Sequence, residues 1–227
     1  MPTVLITGAN RGLGFEFTRQ YAAAGWRVLA GCRSPANASD LNALKGDIAI
    51  HALDVADTVS VADARAAIGG EPIDVLINNA GVIGRREGRL GGVDYADWSA
   101  TLNINLFGPA RVAGAFVDNV LASRQKKFAT VSTRMSSMSE CKATDHMAYR
   151  TSKAALNMMM TLAANELGPK GATVILLHPG WVQTAMGGPR AAITPKDSVT
   201  AMRGVIDRLT VADNGRFINF DGTPIPW

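Results

Sequence analysis

The sequence is poor in the features that mark secreted, membrane-spanning or nucleic-acid-binding proteins. Cysteine occurs twice in 227 residues, at Cys32 and Cys141, with no CxxC spacing. A disulfide-stapled scaffold is therefore not indicated, and reduced thiols in a cytoplasmic protein are expected. The three histidines, His51, His146 and His178, stand apart from one another, so no metal site is expected. No uninterrupted apolar run is long enough to span a bilayer, and no charged segment leads into an apolar stretch ahead of the first strand pattern. Neither membrane insertion nor secretion is expected. A strong excess of one charge is missing too: the net charge is +4, with basic and acidic residues interleaved. The densest basic group, Arg85, Arg86 and Arg89, is broken by Glu87 and several glycines, which reads as a solvated loop and not a nucleic-acid patch.

What is present is an apolar chain, 47% hydrophobic and 19% charged, long enough for one sizeable α/β core. Apolar runs suited to buried parallel strands fall at residues 3–7, 27–31, 48–54, 74–78, 127–132, 173–178 and 216–219. Segments of helical period lie between them, at about 12–24, 57–68, 95–122, 147–168 and 195–210. The alternation predicts an α/β protein: a doubly wound parallel sheet between two helix layers, three layers in all. No repeat or linker divides it, so a single domain over 1–227 is expected. Two glycine-rich stretches, 84–92 and 187–195, follow strand ends, where open α/β sheets bind ligands, and are candidate rims of a substrate site.

The first strand runs into TGANRGLG, residues 7–14, and then directly into a helical segment. In a dinucleotide loop Gly8 would permit the turn off the strand, Gly12 a close approach of the backbone to a pyrophosphate, and Gly14 close packing of helix on sheet. The helix N-terminus would face the phosphates. The spacing, TGxxxGxG, differs from GxGxxG and from a P-loop. Together with NNAG (78–81), YRTSK (149–153) and HPGWVQT (178–184), it resembles the successive motifs of the short-chain dehydrogenase/reductase family, in family order. The ending GRFINFDGTPIPW, with AYRTSKAALNM and HPGWVQTAMGG, is most similar to the small carbonyl reductase branch of that family. The resemblance implies a Rossmann-type fold and a nicotinamide cofactor.

The cofactor's identity has its own signal. The end of the second strand, VLAGCRSP, carries no acid to hold a free ribose hydroxyl and offers Arg33, whose guanidinium suits a 2′-phosphate. Arg11 would join it from the glycine loop, so NADP(H) is the expected cofactor. By resemblance, Asn10 and Leu13 belong to the same loop, Asp54 binds the adenine amino group beside Val55, and Asn79, Ala80 and Gly81 form the turn under the adenosine ribose. Asp54 has a competing reading as a cap for the helix starting near Asp57. Further along, Pro179 and Gly180 would form the turn beside nicotinamide, with the Val182 backbone on the carboxamide and Thr184 on a phosphate. Trp181 and Met186 are candidates for the substrate wall.

Tyr149 and Lys153 lie four apart on a strongly helical segment, so both rise from one helix face. A phenol exchanges protons poorly at neutral pH, and a nearby ammonium would favour its ionised form. The resemblance makes this the catalytic pair and gives Lys153 the nicotinamide ribose as well. Where family members usually carry a serine to polarise the carbonyl, this chain has Thr133, 16 residues before Tyr149. Ser136 is the alternative, and Ser132 the next. Asn105, in NINLFG, matches the family asparagine expected to hold a water linking Lys153 to solvent; Asn103 precedes it. The predicted reaction is reversible reduction of a ketone or aldehyde, with a small-molecule carbonyl or alcohol as the only expected partner. A catalytically weak NADPH-binding signalling protein is the alternative, and pairing in a homodimer stays open.

Overall fold

In a computed structural model, which describes residues 1–85 and 90–227, seven strands form one parallel sheet. They are β1 (Thr3–Thr7), β2 (Arg27–Cys32), β3 (Ile48–Ala52), β4 (Val75–Asn78), β5 (Lys127–Val131), β6 (Thr173–His178) and β7 (Phe217–Asn219), in the order β3-β2-β1-β4-β5-β6-β7. The strand order reverses beside β1, and the β1 and β4 loops diverge there to leave a crevice at the carboxyl ends. Of the glycine-rich stretch 84–92 anticipated as a rim, and of its basic group, residues 86–89 lie outside the described residues.

The interior strands are mostly apolar, with polar residues chiefly at their ends, because both faces are covered. Val4 and Ile6 of β1 point into one core with Phe17 and Tyr21 of α1 (Gly12–Ala23), Leu41 of the short α2 (Ser39–Asn42), and Val199, Met202 and Ile206 of α7 (Pro195–Arg208). Leu5, one residue between them, points the other way. It meets Val61 of α3 (Thr58–Ile68), Phe116 of α5 (Gly108–Leu121), and Leu156 and Met160 of α6 (Met147–Leu167). Phe17, Phe116 and Phe128 are fully buried, and truncating any one to alanine should cost about 3–5 kcal/mol. The α7 C-terminus takes a buried cation: the Lys127 ammonium donates to the Ile206 carbonyl at 2.8 Å. Among the described residues no helix is long and apolar enough to cross a membrane.

Strand and helix ends differ from the sequence expectation by a residue or two. The one substantive difference is in the helix expected over 95–122. It is α4 (Tyr95–Leu102) and α5 joined by a widened π turn at Asn103–Phe107. Pro109 supplies the reason, since it has no N–H to give the Asn105 carbonyl four residues back.

Candidate active site

Two loops build the cofactor side of the crevice. Gly8 and Gly12 adopt φ of +66° and +54°, and a Cβ at Gly14 would lie 2.1 Å from the Gly8 carbonyl oxygen, so helix α1 can start this close to β1 only from glycine. The Thr7 hydroxyl accepts from the backbone N–H of Asn79 at 3.0 Å and of Ala80 at 3.1 Å. The Asn79 amide donates to the Thr7 carbonyl at 2.9 Å. These bonds lock the β1 loop to the β4 loop. No side chain caps the α1 N-terminus, so its first N–H groups remain available to an anion.

A cavity of about 600 Å³ runs along these loops, a size ordinary for small-molecule sites. It brings together Gly8, Asn10, Arg11, Gly12, Leu13, Arg33, Asp54, Val55, Asn79, Ala80, Gly81, Tyr149, Lys153, Pro179 and Thr184. Gly14, Asn105, Thr133, Gly180 and Val182 do not line it directly. At one end Arg11 and Arg33 face the cavity beside Cys32 and Ser34, with no carboxylate at the end of β2. Asp54 accepts from the Ala56 N–H at 3.0 Å through its side chain, while Asp57 caps α3 by accepting from Val59 at 2.8 Å. The capping alternative for Asp54 is thereby replaced.

At the other end, β6 passes into the Pro179–Gly180 turn. Gly180 has φ +80°, and a Cβ there would meet the Ile193 side chain at 2.6 Å. Val182 pairs with Ile193, and the Thr184 hydroxyl accepts from the Gly187 N–H at 3.2 Å. Met186 lines the cavity, whereas the Trp181 indole is exposed and donates to the Gly187 carbonyl at 2.8 Å. Burial pushes the His178 imidazole down to about 4, so it is neutral at the base of this turn.

Tyr149 and Lys153 share the inward face of α6, at 8% and 4% exposure. Burial pushes the phenol up to about 12, and the neighbouring Thr133 hydroxyl acts weakly in the opposite direction. Burial also brings the Lys153 ammonium down to about 8, and that ammonium donates to the Val131 carbonyl at 2.8 Å. The expected lowering of the phenol by Lys153 is thus not what this structure shows: desolvation governs both groups, and the ammonium is directed at the end of β5.

Of the three candidate hydroxyls Ser132 lines the cavity, while Thr133 and Ser136 do not. Thr133 closes β5 next to the phenol. Ser132 donates to the Asn157 side-chain carbonyl at 2.6 Å, and Ser136 accepts from the Asn157 amide at 2.8 Å while donating to the Thr133 carbonyl at 2.5 Å. Ser132 and Ser136 therefore brace the segment that carries Thr133. Asn105, buried in the π turn, exchanges hydrogen bonds with the Val82 backbone in both directions, at 2.9 and 2.8 Å, and donates to Ser152 at 3.1 Å. Both its donors are spent on protein groups, so its side chain pins the turn after Gly81. Asn103 is tied to Arg111 at 2.7 Å, on the outer side.

Sequence reasoning passed over Thr7, Asn157 and the π turn. Thr7 opens the glycine motif and Pro109 interrupts a helical run, so both left a readable signal. Asn157 left none, because nothing local distinguishes it from any other helix asparagine.

The family model for short chain dehydrogenases matches residues 2–193. C-signal of Myxococcus xanthus is 47% identical over 156 residues, covering 69% of this chain and 93% of that protein. The 1-hydroxy-2-glutathionyl-2-methyl-3-butene dehydrogenase of Rhodococcus sp. (strain AD45) is 32% identical over 233 residues, the whole of both chains. Among solved structures, an NADPH-bound carbonyl reductase from chicken fatty liver superposes with a TM-score of 0.92 at 31% identity, covering 100% of this chain and 99% of that one. The chain belongs to the short-chain dehydrogenase/reductase family of oxidoreductases.

Proposed function

We propose that this protein reduces a ketone or aldehyde with NADPH. The observation that carries the reading is the pairing of two ends in one cavity: arginines without a competing acid at one, and Tyr149 with Lys153 at the other, the Thr133 hydroxyl lying beside the phenol just off the lining. The glycine cradle fits a dinucleotide, because a Cβ at Gly14 would clash with the loop. Arg11 and Arg33 would take the 2′-phosphate, Asp54 the adenine amino group, and Asn79, Ala80 and Gly81 the turn under the adenosine ribose. Lys153 would hold the nicotinamide ribose, the Val182 backbone the carboxamide, and Thr184 a phosphate. When bound, the cofactor supplies a hydride.

The protein's own part is proton delivery and orientation. Tyr149, protonated at neutral pH, gives its proton to the carbonyl oxygen as negative charge develops there. Thr133 donates a hydrogen bond to the same oxygen and holds it in line with the phenol. Lys153 carries a proton near its balance point, which suits it to resupply the tyrosine. The free thiols Cys32 and Cys141 support a cytoplasmic setting.

The test is NADPH consumption with a panel of aldehydes, ketones and quinones, run beside NADH. Turnover with preference for NADPH is expected. NADPH binding with no consumption across the panel overturns the reductase reading.

A further inference from the structure

Between Thr133 and Tyr149 the chain leaves the sheet, crosses residues 134–146 and returns as α6. One side chain spans both ends of that excursion. The Arg150 guanidinium donates from Nη1 to the Met135 carbonyl at 3.1 Å, from Nε to the Asp145 carbonyl at 2.9 Å, and from Nη2 to the Asp145 carboxylate at 3.2 Å. The Arg150 side chain is 19% exposed, whereas its Asp145 carboxylate partner is 39% exposed, so the two bonds to backbone carbonyls are the better placed against competing water. Met135 is held on its other side as well, its N–H donating to the Thr133 hydroxyl at 3.2 Å. A continuous path therefore runs from the residue next to Tyr149, through the guanidinium and Met135, to the hydroxyl beside the phenol.

Other anchors of this excursion act elsewhere, among them the Arg134 guanidinium, which donates to the Glu140 carboxylate at 2.6 and 3.0 Å. The outer part of the excursion is tied to the chain's last residue, with the Ser139 N–H and the Ser137 hydroxyl donating to the Trp227 carbonyl at 2.9 and 3.3 Å. Ser132 and Ser136 hold the strand side through Asn157. The turn into α6 is the weak point. His146 takes a left-handed φ of +54°, which costs a non-glycine residue free energy, and its ring lies 3.1 Å from the Asp145 carboxylate that Arg150 also engages.

We infer that Arg150 is a positioning residue for the reaction, setting the distance between the Thr133 hydroxyl and the Tyr149 phenol by clamping Met135 to Asp145. The inference rests on the reductase reading above. A planar fork is needed, since the acceptors lie on different segments and a lysine ammonium cannot reach both in a fixed geometry.

Arg150→Ala and Arg150→Lys test it, with menadione and benzaldehyde as carbonyl probes. Active sites are counted by NADPH fluorescence titration, so that misfolded protein is removed from the comparison. We expect kcat per NADPH-binding site to fall roughly ten- to a hundredfold in Arg150→Ala, because small misplacements of reacting groups carry penalties of that order. Arg150→Lys should recover only part of the rate, and NADPH affinity should be unchanged in both. Trypsin should cut after the exposed Lys142 faster in Arg150→Ala than in wild type. Unchanged kcat per site in Arg150→Ala, or full rescue by lysine, overturns the positioning role even if proteolysis accelerates. If Arg150→Ala does not fold, Arg150→Lys decides alone. If wild type reduces neither probe, the variants are compared on whichever member of the aldehyde, ketone and quinone panel it does reduce; NADPH binding with no consumption across that panel overturns the reductase reading, and the clamp with it.

Discussion

The Lys153 ammonium donates to the Val131 carbonyl, 2.8 Å away at the end of the strand that leads into Thr133. Its cost is set by burial, which lowers the pKa from 10.5 to about 8. Between those values the unfolded chain keeps a proton that the folded chain has released, so stability rises with pH across the interval and is lost as pH falls through about 8. Tyr149 has the opposite sign: raised from 10.0 to about 12, it contributes fully below pH 10.0 and loses that contribution as pH rises through about 12. Lys153→Met should therefore be more stable than wild type near neutral pH, with the gap in melting temperature closing as pH approaches 10.5. A gap independent of pH contradicts the assignment.

Tyr149→Phe keeps the ring's packing and removes only the proton donor. Turnover should drop by about a hundred- to ten-thousandfold while NADPH affinity holds, as read by stopped-flow absorbance and fluorescence titration. Retained turnover would mean that another group delivers the proton.

The hydroxyls separate by substitution as they do by position. Thr133→Ala should lower kcat by roughly a hundred- to a thousandfold, and Thr133→Ser should restore most of it. Ser136→Ala breaks the Asn157 brace, so it should cost about 1–3 kcal/mol in denaturant unfolding and leave kcat far less affected. The reverse pattern would move the polarising role to Ser136.

Arg33→Ala should weaken NADPH by about 1.5–3 kcal/mol, the range for hydrogen bonds to a charged group, and leave NADH affinity nearly untouched. Isothermal titration with the two cofactors reads the difference directly. Equal loss for both would place Arg33 outside the 2′-phosphate site.

Gly14→Ala adds a single methyl group that would sit 2.1 Å from the Gly8 oxygen. Loss of NADPH binding is expected, together with a lower melting temperature, since helix α1 must retreat from the loop. Normal binding by this variant would mean that the cradle is not as tight as described.

Strand and helix positions were readable because burial on both sheet faces makes each interior strand a mostly apolar run, while the covering helices keep their own period. The glycine loop and the Tyr149–Lys153 spacing are equally local: a left-handed φ at Gly8 needs glycine, and residues four apart on a helix share a face. The sequence alone therefore determined the fold class and most of the residues that line the cavity. Sequence reading missed the π turn, although Pro109 left a local sign of it.

What only the tertiary structure decided are relations between segments distant in the chain. Which of Ser132, Thr133 and Ser136 meets the phenol depends on Asn157, more than twenty residues on, claiming the two serines. That Lys153 turns to the Val131 carbonyl, that Asn105 spends its donors on Val82 and Ser152, and that Arg150 spans both ends of the 134–146 excursion follow from how α6 and the π turn pack against β5. Periodicity reports which way a side chain points from its own element. Partners are chosen by which buried donors and acceptors are left unsatisfied once the elements have packed, and that is known only in three dimensions.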